Sequence, residues 1–235
     1  MENDRTLIVV PTYDERENVT ALIPKLLEVV PNADVMLVDD SSPDGTAKQV
    51  EQMFAAAPRV SVLSRIGPRS YGHSLLDGYR VALDRAYPRV VQLDADFSHD
   101  PGMVPAMIAA SRDAEVVIGS RYCPGGRVAN WPWQRRLLSR FANRYVALIT
   151  GLDVRDSTSG FRCYTRRALE CFLDKGMDSE GYAFLVETVF RAHREELRVI
   201  EIPITFTDRR AGQSKMSGKV ILEGVLKPWS LRFGA

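Results

Sequence analysis

Short apolar runs alternate with amphipathic stretches through the first half of the chain. Residues 7–10, 35–38, 60–63, 90–93 and 116–118 are apolar runs of strand length,. After the first run, Val19, Leu22, Ile23, Leu26 and Leu27 recur at helical spacing, and residues 71–86 carry another helical pattern before the fourth. Strand–helix alternation predicts an α/β fold whose mostly parallel sheet is covered by helices on both faces. The second half changes character. Residues 133–149, 166–173 and 182–195 read as helices, 199–206 as an extended segment, and Met216 onward as a terminal helix. No stretch rich in Gly, Ser or Pro separates the halves and no repeat is visible. Residues 1–235 therefore read as one domain with a helical and loop elaboration at the C-terminal side,.

In open parallel sheets, ligands bind beyond the carboxyl ends of the strands. Here those ends are polar. Pro11-Thr12-Tyr13 follows the first run, Asp39-Asp40 the second, Asp94-Ala95-Asp96 the fourth and Gly119-Ser120-Arg121 the fifth. Charge concentrated at equivalent places is the first functional signal.

Asp94 and Asp96 flank a single residue directly after a strand. Carboxylates paired in this way suit a hard divalent cation such as Mg2+ or Mn2+, which takes oxygen ligands and shares them with substrate phosphates. A surface turn with two solvated acids would look similar. The buried-type strand before them and the parallel placement of Asp39-Asp40 favour the metal. Ser98 stands close enough to offer an oxygen, directly or through water, while His99 reads as structural. After the second strand, an acid can accept hydrogen bonds from a ribose or a base, and Asp44 or Thr46 reads as a cap for the next helix,.

Net charge is +1, with 45% hydrophobic and 26% charged residues, which is ordinary for a globular protein and weighs against wholesale nucleic-acid binding,. The local balance differs. Residues 116–152 contain no Asp or Glu but hold Arg121, Arg127, Arg135, Arg136, Arg140 and Arg144, with Trp131 and Trp133. Arg136, Arg140 and Arg144 form one stripe of one predicted helix. Like charges at that spacing cost about 0.2–0.5 kcal/mol per pair, a cost that an anionic partner would remove. Phosphate groups or an anionic membrane surface fit, and so does a solvated face whose acids come from elsewhere in the fold. The C-terminal segment adds Lys215, Lys219, Lys227 and Arg232 among Ile221, Leu222, Val225, Leu226, Trp229, Leu231 and Phe233, opposed only by Glu223. Between the extended segment and that helix, Asp208 to Lys215 reads as a mobile loop in which Arg209 can grip phosphate and Lys215 adds a point charge,.

Other classes lose ground. No Walker A loop and no GxGxxG after the first strand speak for an ATPase or a dinucleotide-binding protein,. Cys123, Cys163 and Cys171 show no metal-ligand spacing and read as reduced thiols of a cytosolic chain,. The start, Met1-Glu2-Asn3-Asp4-Arg5, does not read as a signal peptide, and no apolar run approaches the roughly 20 residues that span a bilayer,.

Taken with their neighbours, these residues resemble the dolichol-phosphate (polyprenyl-phosphate) mannose synthases, which are inverting GT-A glycosyltransferases. The likeness lies in Pro11-Thr12-Tyr13-Asp14-Glu15-Arg16-Glu17-Asn18, the VDDSSPDGT run ending at Thr46, DADFSH from Asp94, GSRY from Gly119, the Gly125 to Trp131 segment, TSGFRCY from Thr158, and DRRAGQSK from Asp208. The resemblance implies a GT-A fold, a GDP-mannose donor, a polyprenyl or dolichyl phosphate acceptor and Mg2+ or Mn2+. It assigns residues 1–122 to the nucleotide-sugar half and 123–235 to the acceptor half. Pro11, Tyr13, Glu15 and Asp40 would hold the nucleoside, Asp94 and Asp96 the metal with Ser98 nearby, and Arg121, Arg135, Arg209 and Lys215 would surround the phosphates. Arg121 and Arg135 would take the acceptor phosphate.

Two positions depart from the family pattern. Asp14 stands for the usual Asn, and Ser70-Tyr71-Gly72 for a Gly-Leu-Gly stretch close to the donor. The chain also lacks the transmembrane tail of some members. The expectation is a peripheral enzyme at the cytoplasmic face of a membrane, with an anionic surface or a small anchoring subunit as partner. A phosphate monoester needs no general base, because it already carries about −1.5 to −2 charge. The implied reaction is thus direct displacement at the anomeric carbon, with Asp96, Arg121 and Arg209 at the chemistry. Glucosyl transfer to the same lipid, or to a small molecule, is the near alternative. A nucleotidyltransferase would carry a glycine-rich loop where Pro11-Thr12-Tyr13 stands, and the intact Asp94 and Asp96 weigh against a non-catalytic binding subunit.

Overall fold

The computed structural model describes residues 5–174, 176–177, 179–208 and 218–234. Strands β1 (Thr6–Thr12), β2 (Ala33–Asp39), β3 (Val60–Ser64), β4 (Arg89–Gln92) and β5 (Val116–Ser120) alternate with helices α1 (Arg16–Val29), α2 (Thr46–Met53), α3 (Tyr71–Asp84) and α4 (Val104–Ala110). There follow β6 (Arg127–Val128), α5 (Trp133–Thr150), β7 (Arg162–Thr165), α6 (Arg166–Asp174), α7 (Ala183–Arg194), β8 (Val199–Pro203), β9 (Thr205–Phe206) and α8 (Gly218–Phe233).

The main sheet runs β3-β2-β1-β4-β7-β5-β8, and the short β6 and β9 pair separately. Leu7 to Val10 of β1 are fully buried. Leu7 and Val9 face the core shared with α3, α6 and α7, while Ile8 and Val10 face the core under α1 and α4. A strand covered on both faces needs an unbroken apolar run, which is what the sequence has there. The α/β class and every strand expected in the first half are present.

Two elements of the sheet were not expected. The extended segment divides at Ile204 into β8 and β9. More consequentially, β7 enters antiparallel between β4 and β5, pairing Val91 with Cys163 on one side and Val117 with Cys163 on the other. An arginine interrupts this strand's apolar pattern. Arg162 is nevertheless fully buried and donates to the carbonyl oxygens of Ser159 and Leu185, each at 2.8 Å, and to that of Ser157. Because β7 belongs to the second half and sits inside the sheet, the two halves interleave in one sheet.

Candidate active site

The loops after β1 and β2 are tied to each other by backbone donors. Asp40 N–H reaches the Thr12 carbonyl at 3.0 Å, Asp14 N–H the Ser42 hydroxyl at 3.0 Å, Glu15 N–H the Thr46 hydroxyl at 3.2 Å and Arg16 N–H the Asp44 carboxylate at 3.1 Å. Asp44 also accepts from Thr46 N–H at 2.9 Å, one residue ahead of the α2 N-cap, Gly45. Burial raises the Asp44 pKa, but bonds from Thr46 and Arg16 outweigh it and hold the carboxyl below its ordinary value. Asp14, Ser41 and Phe97 have φ of 54°, 58° and 60°, and each directly follows the polar turn after β1, β2 or β4. Left-handed backbone is uncommon outside glycine, and Asn and Asp adopt it most readily, so Asp14 keeps the conformation that the family's Asn would have.

The two acids after β2 have different surroundings. Asp39 is engaged within the loop, accepting from the Thr12 hydroxyl at 3.2 Å and from Ser42 N–H at 2.9 Å. Asp40 is 6% exposed, pairs with Arg65, and accepts from Ser70 N–H at 2.7 Å. Arg65 also holds Asp77 at 2.7 Å. Nearby, the Arg69 guanidinium lies 4.1 Å from the centre of the Tyr13 ring, and Glu15 accepts from the Asn18 amide at 2.7 Å.

The turn after β4 presents two more carboxylates. The Asp94 side chain is 31% exposed and accepts from the Tyr71 hydroxyl at 3.4 Å. Burial, and next the charge of Asp94, push the Tyr71 phenol well above its ordinary pKa, so it remains a donor. A methyl group on Gly160 would lie 3.4 Å from both Asp94 oxygens and 2.9 Å from the Tyr71 oxygen, which explains a glycine at that point of the loop before β7. Asp96 accepts from Ser98 N–H at 3.0 Å and from the Ser98 hydroxyl at 2.5 Å. Ser98 therefore orients Asp96, whatever else its oxygen does. His99 is buried against Phe161 and Phe206, and its Nδ1 accepts from Asp94 N–H at 3.2 Å. Burial lowers its pKa to about 4, which keeps the ring neutral. Among the described residues no group of three or more His, Cys, Asp or Glu is placed to hold a metal. Two carboxylates on one turn instead fit a hard cation that completes its shell with diphosphate oxygens and water.

Arg121, after β5, is 8% exposed and donates two hydrogen bonds to the fully buried Asp156, from Nε at 2.7 Å and from Nη2 at 2.6 Å, while its backbone N–H donates to the same carboxylate at 2.8 Å. Thr158 accepts from Nη2 at 2.7 Å. Burial disfavours the Arg121 charge, but Asp156 outweighs it, Asp94 contributes in the same sense, and the pKa is raised. Arg135 lies 3.9 Å over the Trp131 ring and pairs with Asp208 at 3.1 Å. Arg121 lies 5.8 Å from the centre of the same ring, so Trp131 gathers both arginines expected at the acceptor phosphate. Arg209 and Lys215 lie outside the described residues. Asp156 was missed from the sequence. Its position two residues before the Thr158 motif was a visible signal, but nothing in the spacing named Arg121 as its partner.

Helices α5 and α8 pack side by side beyond the arginines. The Tyr145 hydroxyl donates to the Val225 carbonyl at 2.7 Å and accepts from the Trp229 indole at 2.8 Å. Trp133, Leu137, Leu138 and Phe141 are each at least 60% exposed, and Ile221, Leu222, Leu226, Trp229 and Phe233 are more than half exposed. Arg136, Arg140 and Arg144 are exposed, and no acid pairs with them among the described residues. Three residues grouped with this surface in the sequence belong elsewhere, Leu231 being buried in the core shared with α3, α6 and α7. Trp131 is buried, wedged against Phe206, and the Lys227 side chain is only 11% exposed because it pairs with Glu187 of α7 at 3.1 Å. No described helix is long and apolar enough to cross a membrane.

Known proteins resemble the chain in sequence and in fold. The glycosyl transferase family 2 profile matches residues 7–173. The chain is 40% identical over 232 residues to the polyprenol monophosphomannose synthase of Mycolicibacterium smegmatis, covering 97% of this chain and 88% of that relative. It is 40% identical over 222 residues to the undecaprenyl-phosphate mannosyltransferase of Micrococcus luteus, covering 94% of this chain and 91% of the relative. Among solved structures, glucosyl-3-phosphoglycerate synthase of Mycobacterium tuberculosis, in complex with Mn2+, UDP and glucosyl-3-phosphoglycerate, superposes with a TM-score of 0.70. That match has 16% identity, covers 98% of this chain and 80% of the other, and shows a shared GT-A fold.

Proposed function

Since the chain belongs to glycosyl transferase family 2, among the polyprenyl-phosphate mannose synthases, we propose that it transfers mannose from GDP-mannose to a polyprenyl phosphate with inversion. The observation that carries this reading is the pair of acids Asp94 and Asp96 after β4 beside Arg121, near enough for Asp94 to favour its charge, with Arg121 and Arg135 grouped around Trp131. The acids suit a cation-bound diphosphate, and the guanidinium groups suit a second anion.

Asp94 and Asp96 would hold Mg2+ or Mn2+, which supplies charge neutralisation for the departing diphosphate. The chain's own residues set the geometry. Tyr71 and Gly160 confine Asp94, and Ser98 confines Asp96. Pro11, Tyr13, Glu15 and Asp40 would bind the nucleoside beyond β1 and β2. Arg121 and Arg135 would fix the acceptor phosphate, with Arg209 and Lys215 adding positive charge to the diphosphate. His99 does not serve as a base, since its Nδ1 lone pair already accepts Asp94 N–H and its ring is buried. None is required, because the acceptor phosphate is already an anion and catalysis reduces to alignment and charge stabilisation.

The acceptor's long apolar tail remains in a bilayer. The exposed apolar rows of α5 and α8, with Arg136, Arg140 and Arg144 beside them, support docking on an anionic leaflet,. The enzyme is then peripheral at the cytoplasmic face of a membrane. The purified chain should be incubated with polyprenyl phosphate, Mn2+ and either GDP-mannose or UDP-glucose, and the lipid product identified. Polyprenyl-phosphate mannose from GDP-mannose alone is expected. A glucosylated lipid would overturn the sugar assignment, and undiminished turnover in EDTA would overturn the metal assignment.

A further inference from the structure

Glu223 is the one acid of α8, whose other charged residues are basic. It is half-buried and stands one turn before Lys227, which pairs with Glu187 of α7, so it lies on the packed side of the helix and away from the exposed apolar row, and the interactions it makes there explain its position. Its two oxygens accept from the backbone N–H groups of Glu180 and Gly181, at 2.9 and 3.0 Å. Both are charge-assisted bonds to a loop that offers no regular structure of its own.

That loop is clamped at its other face to the start of α3. The Glu180 carbonyl accepts from Gly72 N–H at 2.9 Å and from the Ser70 hydroxyl at 3.0 Å. A methyl group on Gly72 would fall 2.3 Å from the Ser179 carbonyl, so the two backbones touch with no room for a side chain. Ser70 N–H then donates to Asp40 at 2.7 Å. A parallel branch runs through rings, because Tyr182 packs on Tyr71 at 5.3 Å between centroids and the Tyr71 hydroxyl donates to Asp94. An unbroken chain of contacts therefore leads from the exposed helix α8 to the acids after β2 and β4.

We infer that Glu223 is a positioning residue for the donor site, holding the 179–182 loop so that Ser70 and Tyr71 fix Asp40 and Asp94. This rests on the reading of Asp40 and Asp94 as donor-binding acids. It also assigns a role to the Ser70-Tyr71-Gly72 departure from the family pattern, which is the stretch the loop grips. The helix that meets the lipid and the carboxylates that meet the nucleotide then form one mechanical unit.

The test is a kinetic split. In Glu223→Ala, the KM for GDP-mannose and the Kd for GDP measured by calorimetry should each rise about fivefold or more, while the acceptor KM stays within about twofold. Glu223→Gln, which keeps one acceptor oxygen, should recover part of the loss. Tyr145→Phe removes the hydrogen bonds that the Tyr145 hydroxyl makes to α8 but not the contacts of α8 with the loop, and its donor KM should stay within about twofold of wild type,. Unchanged GDP affinity in Glu223→Ala, or an equal loss in Tyr145→Phe, overturns the inference. A wild-type chain that binds no GDP overturns the donor-site reading itself, a result separable from either.

Discussion

The strand ends and the α5–α8 face carry opposite charges and are built on opposite principles. Asp40, Asp94 and Asp96 each have fixed internal partners, namely Arg65 and Ser70, Tyr71, and Ser98. The acids are thus oriented before any ligand arrives. On the helical face, Arg136, Arg140 and Arg144 have no acid partner among the described residues, and the apolar side chains between them stand in water. A charged nucleotide-sugar donor would reward preorganisation, because alignment is what its reaction needs. A lipid surface presents no fixed atoms to align with, and is met by area and net charge instead. Arg121 lies between the two regimes. It is a cation held as rigidly as the acids, by Asp156.

The largest expected effect comes from breaking the rigid side at the metal. Asp96→Ala should lower mannosyl transfer by at least about 1000-fold, since charge stabilisation of a leaving diphosphate is worth several kcal/mol. EDTA should lower wild-type turnover comparably, and added Mn2+ should restore the wild type but not the variant. A variant restored by Mn2+ to wild-type rates would mean that Asp96 is not a ligand.

Next is the cation of the rigid side. Asp156→Asn leaves Arg121 charged and buried with one weaker acceptor in place of a bidentate carboxylate. Loss of one partner from such a pair costs about 3–5 kcal/mol, which thermal unfolding will read as a clear fall in Tm. Misplacement of the guanidinium should also reduce transfer about 100-fold at a temperature where the variant remains folded. If stability falls while turnover in the folded fraction is unchanged, Arg121 is structural and the acceptor phosphate is held elsewhere.

How much of this the sequence disclosed depended on whether partners were near in the chain. The strands of the first half were legible because each is a short, mainly apolar run between turn residues, and the acids were legible because the α/β rule places ligands at those ends. β7 was not legible. Its apolar alternation is interrupted by Arg162, whose charge is satisfied by carbonyl oxygens from Ser157, Ser159 and the distant Leu185. The Arg121–Asp156 pair, 35 residues apart, left no local pattern, although an acid before the Thr158 motif was visible. Lys227 and Trp131 were misread for the same reason. Helical spacing reports which face a residue occupies, not that Glu187 of another helix or Phe206 of another strand covers it.

On the adaptable side, single changes should alter where the enzyme works rather than how fast it turns over. Phe141 is 65% exposed within the apolar row of α5. Burying such a side chain in the interfacial region contributes about 1.5–3 kcal/mol. Phe141→Asp should therefore weaken co-sedimentation with anionic vesicles about tenfold or more. Turnover on a short, water-soluble polyprenyl phosphate analogue should stay near wild type. A variant that loses both equally would place Phe141 in the acceptor site itself.

The smallest expected effect belongs to the arginine stripe, and it distinguishes a membrane from a protein partner. Arg136, Arg140 and Arg144 recur every fourth residue on α5, and like charges at that spacing disfavour the helix slightly when nothing neutralises them,. Near an anionic leaflet, each basic residue contributes about 1 kcal/mol, and that contribution fades as added salt shortens the screening length. Arg140→Ala should then weaken binding to vesicles containing anionic lipid about fivefold at low salt, and Arg144→Ala by a similar factor. The two losses should multiply in the double variant, since a diffuse surface potential couples the sites little, and each should shrink at high salt. Binding to neutral vesicles should hardly change. An anchoring subunit would behave differently. It would present fixed acids, so that one arginine would dominate, the losses would not multiply, and lipid composition would be immaterial. Equal and negligible sedimentation of the wild type with anionic and neutral vesicles at low salt would leave such a subunit as the means of bringing these helices to the bilayer.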